Sequence, residues 1–173
     1  MKNIGIIFCL LISVGLTEAQ PMETVIKTQA IEMGRALVAG DVKTFSRFML
    51  PELVEAGKET GKTQMTMDSA FAVFKSFGGK VERITYGNPG KMVTYKNELQ
   101  STLPQTTEIT SPFADVVLSS TLVAISRDNG KNWYFIDASA GKIEQLKTKL
   151  PNLSPELVIP EPTPPKVTMK QQK

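Results

Sequence analysis

The hydrophobic and polar positions of the chain change their spacing once, near residue 80. Between residues 23 and 77, apolar side chains recur every three or four positions, which is the spacing of amphipathic helices. From residue 81 to residue 137 they mostly alternate with polar ones, which is the spacing of strands. The pattern therefore predicts an α+β fold in which N-terminal helices pack on one face of an antiparallel sheet.

The helical half contains clear start and stop signals. Gly40 is expected to end a helix over residues 23–39, and Asp41 is expected to cap a second helix over residues 42–50. Pro51 suits the first position of a further helical turn. A third helix should run to Phe77. The apolar stripe of the first helix consists of Ile26, Ala30, Met33 and Leu37, with Ile31 and Val38 beside it.

The central feature of the strand half is a hairpin over residues 115–137. Residues 116–125 are apolar on both alternating faces, which is typical of a central strand that is covered on both sides. The spacing of Ser126, Asp128, Gly130 and Trp133 resembles the Asp-box of sialidases and other β-rich proteins. That resemblance implies a structural turn, in which short oxygen-bearing side chains accept loop amides and the tryptophan pins the loop.

Shorter strands are predicted before this hairpin, and a tail follows it. We expect strands over residues 81–86 and 92–101, with Pro104 breaking the second. A C-terminal helix is predicted over residues 141–150. Residues 151–173 contain six prolines, so this tail is expected to be mostly disordered. Residues 157–159 are expected to dock as a short extended piece, and the disorder is expected beyond Pro160.

The first nineteen residues have the pattern of a secretory signal peptide. Lys2 precedes an apolar run over residues 4–16, and Thr17 and Ala19 supply small side chains for cleavage after Ala19. The run is short for a bilayer span, so no stable membrane anchor is expected. The pattern predicts a secreted or periplasmic protein with one domain over residues 20–150.

The composition narrows the chemistry that the domain can use. Cys9 is the only cysteine and lies in the predicted signal peptide, and the chain has no histidine. Disulfides, thiol chemistry and the common histidine-based metal sites are therefore not expected. The net charge of +3 is spread along the chain and forms no basic patch, so binding to nucleic acid is not expected. We predict no metal and no cofactor.

Three features of residues 23–137 carry a resemblance to a known family: Ala39-Gly40-Asp41 followed by Phe45 and Phe48, the turn Pro51-Glu52-Leu53-Val54, and the hairpin end Trp133-Tyr134-Phe135-Ile136-Asp137. This stretch, about two-thirds of the chain, resembles a secreted bacterial member of the nuclear transport factor 2-like superfamily, whose α+β cone is also called cystatin-like. The resemblance implies a curved sheet that wraps helices around a cavity. The superfamily contains isomerases, cyclases and dehydratases as well as binding modules, so the fold alone does not decide the function.

For an enzyme of this superfamily, the resemblance implies an acidic base beside a tyrosine in the cavity. Asp115 and Asp137 stand at predicted strand ends, where aspartate usually caps a turn or helix. Glu98 alternates with Lys96 and Gln100, so it is expected to face solvent. No catalytic residue is predicted. The residues that could supply the acid or the tyrosine of such a site are Asp115, Asp137, Glu98, Tyr86, Tyr95 and Tyr134.

The predicted ligand-binding residues are Tyr95, Asn97, Phe71 and Phe74. Tyr95 and Asn97 stand two apart in a predicted strand, so they should share one face, and Phe71 and Phe74 stand three apart on a helix. The same four residues also suit an ordinary core. The sequence favours an exported, non-enzymatic binding module that takes a small apolar ligand or a protein partner on the concave sheet face. A cavity enzyme of the isomerase or cyclase type and a dimeric structural module remain alternatives.

Overall fold

The computed structural model describes residues 20–59, 63–138, 146–148 and 150–171. It confirms an α+β fold with an antiparallel sheet. The predicted signal peptide lies outside the described residues. The helices are α1 (Met22–Ala39), α2 (Val42–Ser46), α3 (Pro51–Glu59) and α4 (Thr63–Ser76), and the strands are β1 (Lys80–Tyr86), β2 (Val93–Tyr95), β3 (Glu98–Thr110), β4 (Ala114–Ser126), β5 (Tyr134–Asp137) and β6 (Lys166–Met169).

The sheet is built around the long hairpin of β3 and β4, which pair without interruption from Leu99–Ser126 to Thr110–Asp115. Two short strands share the outer edge of β3: β1 pairs with its C-terminal half and β2 with its first residues. Two others share the outer edge of β4 in the same way, with β5 near its end and β6 near its start. The sheet is therefore four strands wide at both ends.

The C-terminal part of strand β4 is covered on both faces, as the sequence predicts, whereas Leu118 in its first half stays 36% exposed. Leu122 and Ala124 point to what we call the first face, where α1 packs with Trp133. Val123 and Ile125 point to the second face. Alternation along a strand sends neighbouring side chains to opposite faces, so one apolar run serves two cores. The second core is completed by Leu50, Ala138, Leu146, Leu150 and Leu153.

The helix boundary at Gly40 is confirmed. Gly40 has a φ of 72°, and its N–H donates to the carbonyl oxygen of Leu37. The Asp41 side chain accepts a hydrogen bond from the backbone N–H of Thr44, which lowers the pKa of Asp41. Helix α2 ends at Ser46 and is shorter than predicted. A separate helix, α3, begins at Pro51.

The strand predicted over residues 92–101 is in fact a hairpin. Lys96 and Asn97 both have positive φ and form a two-residue turn between β2 and β3. The prediction that Pro104 breaks the strand is also wrong, because β3 continues to Thr110. The carbonyl of Pro104 accepts from Gly87 on the outer edge of β3. The missing N–H of Pro104 faces that same edge, so the ladder to β4 loses no bond.

The C-terminal tail lies against the sheet at two places. Residues 150–159, which we call the C-terminal strap, lie over the second core, where Leu157 and Ile159 pack. The chain then forms β6 on β4. The apolar side chains of the strap thus pack on the core that contains Val123 and Ile125. The predicted helix over residues 141–150 falls largely outside the described residues, of which only 146–148 are helical there.

Candidate functional site

An apolar cleft of about 280 Å³ lies between α1 and β1. We call it the α1–β1 cleft. Helix α1 packs along β1, and Ile84 in β1 faces α1 because it pairs with Thr107 on the first face. The residues that line the cleft are Ile31, Gly34, Arg35, Val38, Ala39 and Ile84.

The α1–β1 cleft is formed by a second apolar line on α1, beside the buried stripe. Ile31, Gly34, Arg35 and Val38 stand at spacings of three and four, so they occupy one side of the helix. Ile31 is 37% exposed and Val38 is 42% exposed. The neighbouring stripe through Ala30 and Met33 is buried. The sheet therefore covers one side of α1, while Ile31, Arg35 and Val38 stay open to solvent.

Gly34 allows the close approach of helix and strand beside this cleft. The hydroxyl of Tyr86 lies 2.6 Å from the position that a Cβ on Gly34 would occupy. Within the described residues this buried hydroxyl has no hydrogen-bond partner. Its burial raises the pKa of Tyr86 above the usual value. Tyr86 therefore stays neutral at physiological pH.

Arg35 is the charged side chain that lines the α1–β1 cleft. It is exposed, and within the described part of the chain no carboxylate pairs with it. A free guanidinium beside aliphatic side chains can receive a carboxylate or another planar anion, while the wall takes an apolar body. The cleft thus suits a small molecule that is apolar along its length and anionic at one end.

A second, smaller cleft of about 60 Å³ lies beside Arg127. The Arg127 guanidinium donates to both Glu52 carboxylate oxygens at 2.6 and 2.9 Å, and its Nε donates to Glu98 at 2.7 Å. These bonds lower the pKa of Glu52 and raise that of Arg127. One guanidinium thus bridges two carboxylates, and the cluster joins α3 to the sheet.

The expectation that Glu98 faces solvent is wrong. Glu98 is buried because the C-terminal strap covers this part of the second face. Gln100 fastens the strap beside it: its amide donates to the Asn152 carbonyl at 2.7 Å and accepts from the Ser154 N–H at 2.8 Å. These polar groups therefore hold the fold together.

The four predicted ligand-binding residues lie outside the α1–β1 cleft. Tyr95 is half-buried in β2, with the Lys96 ammonium 5.4 Å from its ring centre. Asn97 is exposed in the turn after β2, so it does not share a strand face with Tyr95. Phe71 and Phe74 are half-buried on α4, which packs against α2 and α3.

The Asp-box-like turn is held by its own hydrogen bonds. The Ser126 hydroxyl accepts from the Gly130 N–H, and Asp128 accepts from the backbone and side chain of Asn132. The bond from the Asn132 N–H contributes most to lowering the pKa of Asp128. The Trp133 indole donates to the Gly130 carbonyl at 3.0 Å. All these groups serve the turn itself.

A third cleft, of about 300 Å³, borders this turn. Two amides that line it are already used. Gln29 donates to the Lys131 carbonyl and accepts from the Trp133 N–H, both at 2.8 Å. The Asn132 side chain donates to Asp128. These amides tie α1 to the hairpin and are not free to bind a ligand. The third cleft is therefore a weaker candidate for a binding site than the α1–β1 cleft.

The acids and tyrosines considered for catalysis are spread over the fold. Tyr86 has no hydrogen-bond partner in the described residues, so no acid lies within reach of its hydroxyl. Asp115 is exposed and forms an ion pair with Lys170, and Glu98 pairs with Arg127. The described residues contain no group of three or more acidic or cysteine side chains that could hold a metal ion.

Comparison with known proteins gives no match that would assign a role to this site. The chain matches no protein-family model, no curated protein and no solved structure. Among the helices within the described ranges, none combines the length and the apolar character that a bilayer crossing needs.

Proposed function

We propose that the chain is an exported, non-enzymatic binding module. In this proposal the α1–β1 cleft holds a small ligand with an apolar body and one anionic end. One observation carries the proposal: Ile31 and Val38, two turns apart on α1, remain 37% and 42% exposed in a cleft whose opposite wall is Ile84. Aliphatic side chains that stay open in a concave site gain free energy when an apolar body displaces the water around them.

The size and chemistry of the cleft support a ligand of modest length. Its volume, about 280 Å³, stands near the lower end of the usual range of roughly 300–1,000 Å³ for small-molecule sites. Its wall is aliphatic, and Arg35 supplies one positive charge. A medium-chain carboxylate such as decanoate combines an apolar body with one anionic end.

Export and the cone are parts of the same proposal. The signal-peptide pattern of residues 1–19 supports a secreted or periplasmic location. Helices that pack on an antiparallel sheet are compatible with the nuclear transport factor 2-like cone, in which a ligand enters between helix and sheet. In this proposal the first face is the concave face of that cone.

Isothermal titration of the chain with decanoate tests the proposal. Val38→Asp places a charge on the cleft wall and should weaken binding about tenfold, since a charge beside an apolar ligand body must be desolvated. Val73→Asp is the matched control, because Val73 is 56% exposed and lies on α4 outside the lining of the cleft. Circular dichroism checks that both variants fold.

The outcomes separate clearly. Binding that falls with Val38→Asp and persists with Val73→Asp supports a ligand in the α1–β1 cleft. Decanoate that fails to bind, or that binds both variants as it binds the wild type, contradicts the proposal and favours a protein partner or a dimeric module instead.

A further inference from the structure

The C-terminal strand β6 is held to the sheet by its backbone while its side chains stay in solvent. It pairs antiparallel with residues 114–117 of β4, and all four of its side chains are exposed. Val167 and Met169 retain 55% and 72% of their accessible surface. Because side-chain burial supplies most of the free energy that holds an element in place, β6 can detach at low cost.

The segment before β6 makes it a separate arm. The C-terminal strap ends at Ile159, which packs against the second core. Residues 160–165 are all exposed and include four prolines. Proline-rich segments are stiff and extended, so this one carries β6 away from the strap as a semi-rigid spacer. β6 can leave β4 while the strap keeps its own contacts.

The edge of β4 is complementary to one particular sequence. Directly after β6, the Lys170 N–H donates to the Phe113 carbonyl at 2.8 Å. The Lys170 ammonium forms an ion pair with Asp115 at 2.7 Å and donates to the Thr110 hydroxyl at 2.6 Å. The edge of β4 therefore favours a strand that is followed by a lysine. The backbone hydrogen bonds hold the strand, and the lysine adds the contacts to Asp115 and Thr110.

We propose that residues 114–117 of β4 are a docking site for β6 of a second copy of this chain, so that two chains exchange their C-terminal strands. A second copy carries the one segment known to fit this edge, with the same register and the same lysine. The closed and exchanged forms make identical contacts and differ in the path of residues 160–165. Exchange therefore depends mainly on concentration, and it pairs the edge of β4 whenever β6 of the same chain has detached.

Disulfide trapping between two full-length chains, both with Cys9→Ser, tests this exchange. One chain carries Val116→Cys and the other Val167→Cys, at positions that are paired in the ladder. Their sulfur atoms meet only when β6 of one copy lies on β4 of the other. After mixing and mild oxidation, we expect heterodimers in about fivefold excess over either homodimer, because paired strands hold the two thiols together.

Two controls make the result specific. Thr168→Cys replaces Val167→Cys in the first control and should give random pairing, because its side chain points to the other face. Adding Lys170→Glu to the Val167→Cys chain should also reduce the excess, whereas Lys75→Glu, an exposed lysine on α4, should leave it unchanged. Random pairing of Val116→Cys with Val167→Cys, equal trapping by Thr168→Cys, or insensitivity to Lys170→Glu would each overturn the proposal.

Discussion

The Tyr86 hydroxyl occupies the space that a side chain at position 34 of α1 would need. It lies 2.6 Å from the ideal Cβ position of Gly34, whereas the nearest ring carbons lie at 3.3 and 3.4 Å. The glycine inside an otherwise regular helix is thus explained by this approach of helix and strand. The same approach leaves the Tyr86 hydroxyl buried without a partner among the described residues.

This relationship predicts a double-mutant cycle. Gly34→Ala alone should destabilise the fold by about 1–3 kcal/mol, because overpacking outweighs the gain of about 1 kcal/mol in helix propensity. Tyr86→Phe alone should be neutral or stabilising, since it removes a buried unpaired hydroxyl. The double variant should recover at least wild-type stability, because the methyl group then meets only ring carbons. Urea melts of the four proteins measure the coupling, and additive effects of the two changes would contradict the contact.

Trp133→Ala should destabilise the fold by about 3–5 kcal/mol, the usual cost of truncating a large buried aromatic side chain. Trp133 is 1% exposed and packs in the first core. Urea denaturation of both proteins measures the difference. A loss below about 0.5 kcal/mol, typical of surface positions, would show that the side chain is not the anchor of the turn.

Asp128→Asn should cost stability at neutral pH and cost less as the solution becomes acidic. The folded pKa of Asp128 lies below the usual aspartate value of 3.8, chiefly because of the hydrogen bond from the Asn132 N–H. A carboxyl whose pKa is lowered by folding contributes stability above its unfolded pKa and loses it as pH falls through the folded pKa. Stabilities of both proteins between pH 7 and pH 2 should therefore converge below about pH 4. A constant difference would contradict the charged turn.

Gln100→Leu should loosen the C-terminal strap. The change leaves the Asn152 carbonyl and the Ser154 N–H without their present partner, at a cost of about 1–3 kcal/mol for each group that stays buried. Hydrogen exchange should show the largest loss of protection in residues 150–159. Gln105→Leu is the control, since its bonds to Thr107 and Ser120 lie within the sheet; equal loosening by both changes would contradict this role of Gln100.

The sequence predicts those features that local chemistry decides. The break at Gly40 and Asp41 depends on positive φ and on a capping carboxylate, both of which can be read from neighbouring residues. The two-sided burial of residues 122–125 in β4 follows from an apolar run with strand alternation. These features can be predicted without knowing which distant segment packs against them.

Other features are hidden for physical reasons. The turn at Lys96 and Asn97 contains neither glycine nor proline, so the sequence does not mark the point at which β2 ends and β3 begins. The ordering of the tail depends on a surface that distant strands provide. The line from Ile31 to Val38 is visible as a helical face, but whether the sheet covers it is decided by tertiary packing. The α1–β1 cleft could therefore not be selected from the sequence.

The charge at the cleft can be tested apart from its apolar wall. Arg35→Gln should weaken decanoate binding about tenfold and leave the binding of the neutral alcohol decanol unchanged, because only the carboxylate gains from the guanidinium. Arg47→Gln is the matched control, since Arg47 is an exposed arginine that lines the third cleft. Equal effects of the two changes on decanoate titrations would contradict the role of Arg35.

The most direct measurement is paramagnetic broadening of the amide resonances by a spin-labelled medium-chain fatty acid. The account predicts broadening that is strongest at residues 31–39 of α1 and around Ile84 in β1, and that unlabelled decanoate reverses. Broadening centred on other exposed apolar residues, such as Phe77 and Phe113, or no broadening at all, would contradict a ligand site in the α1–β1 cleft.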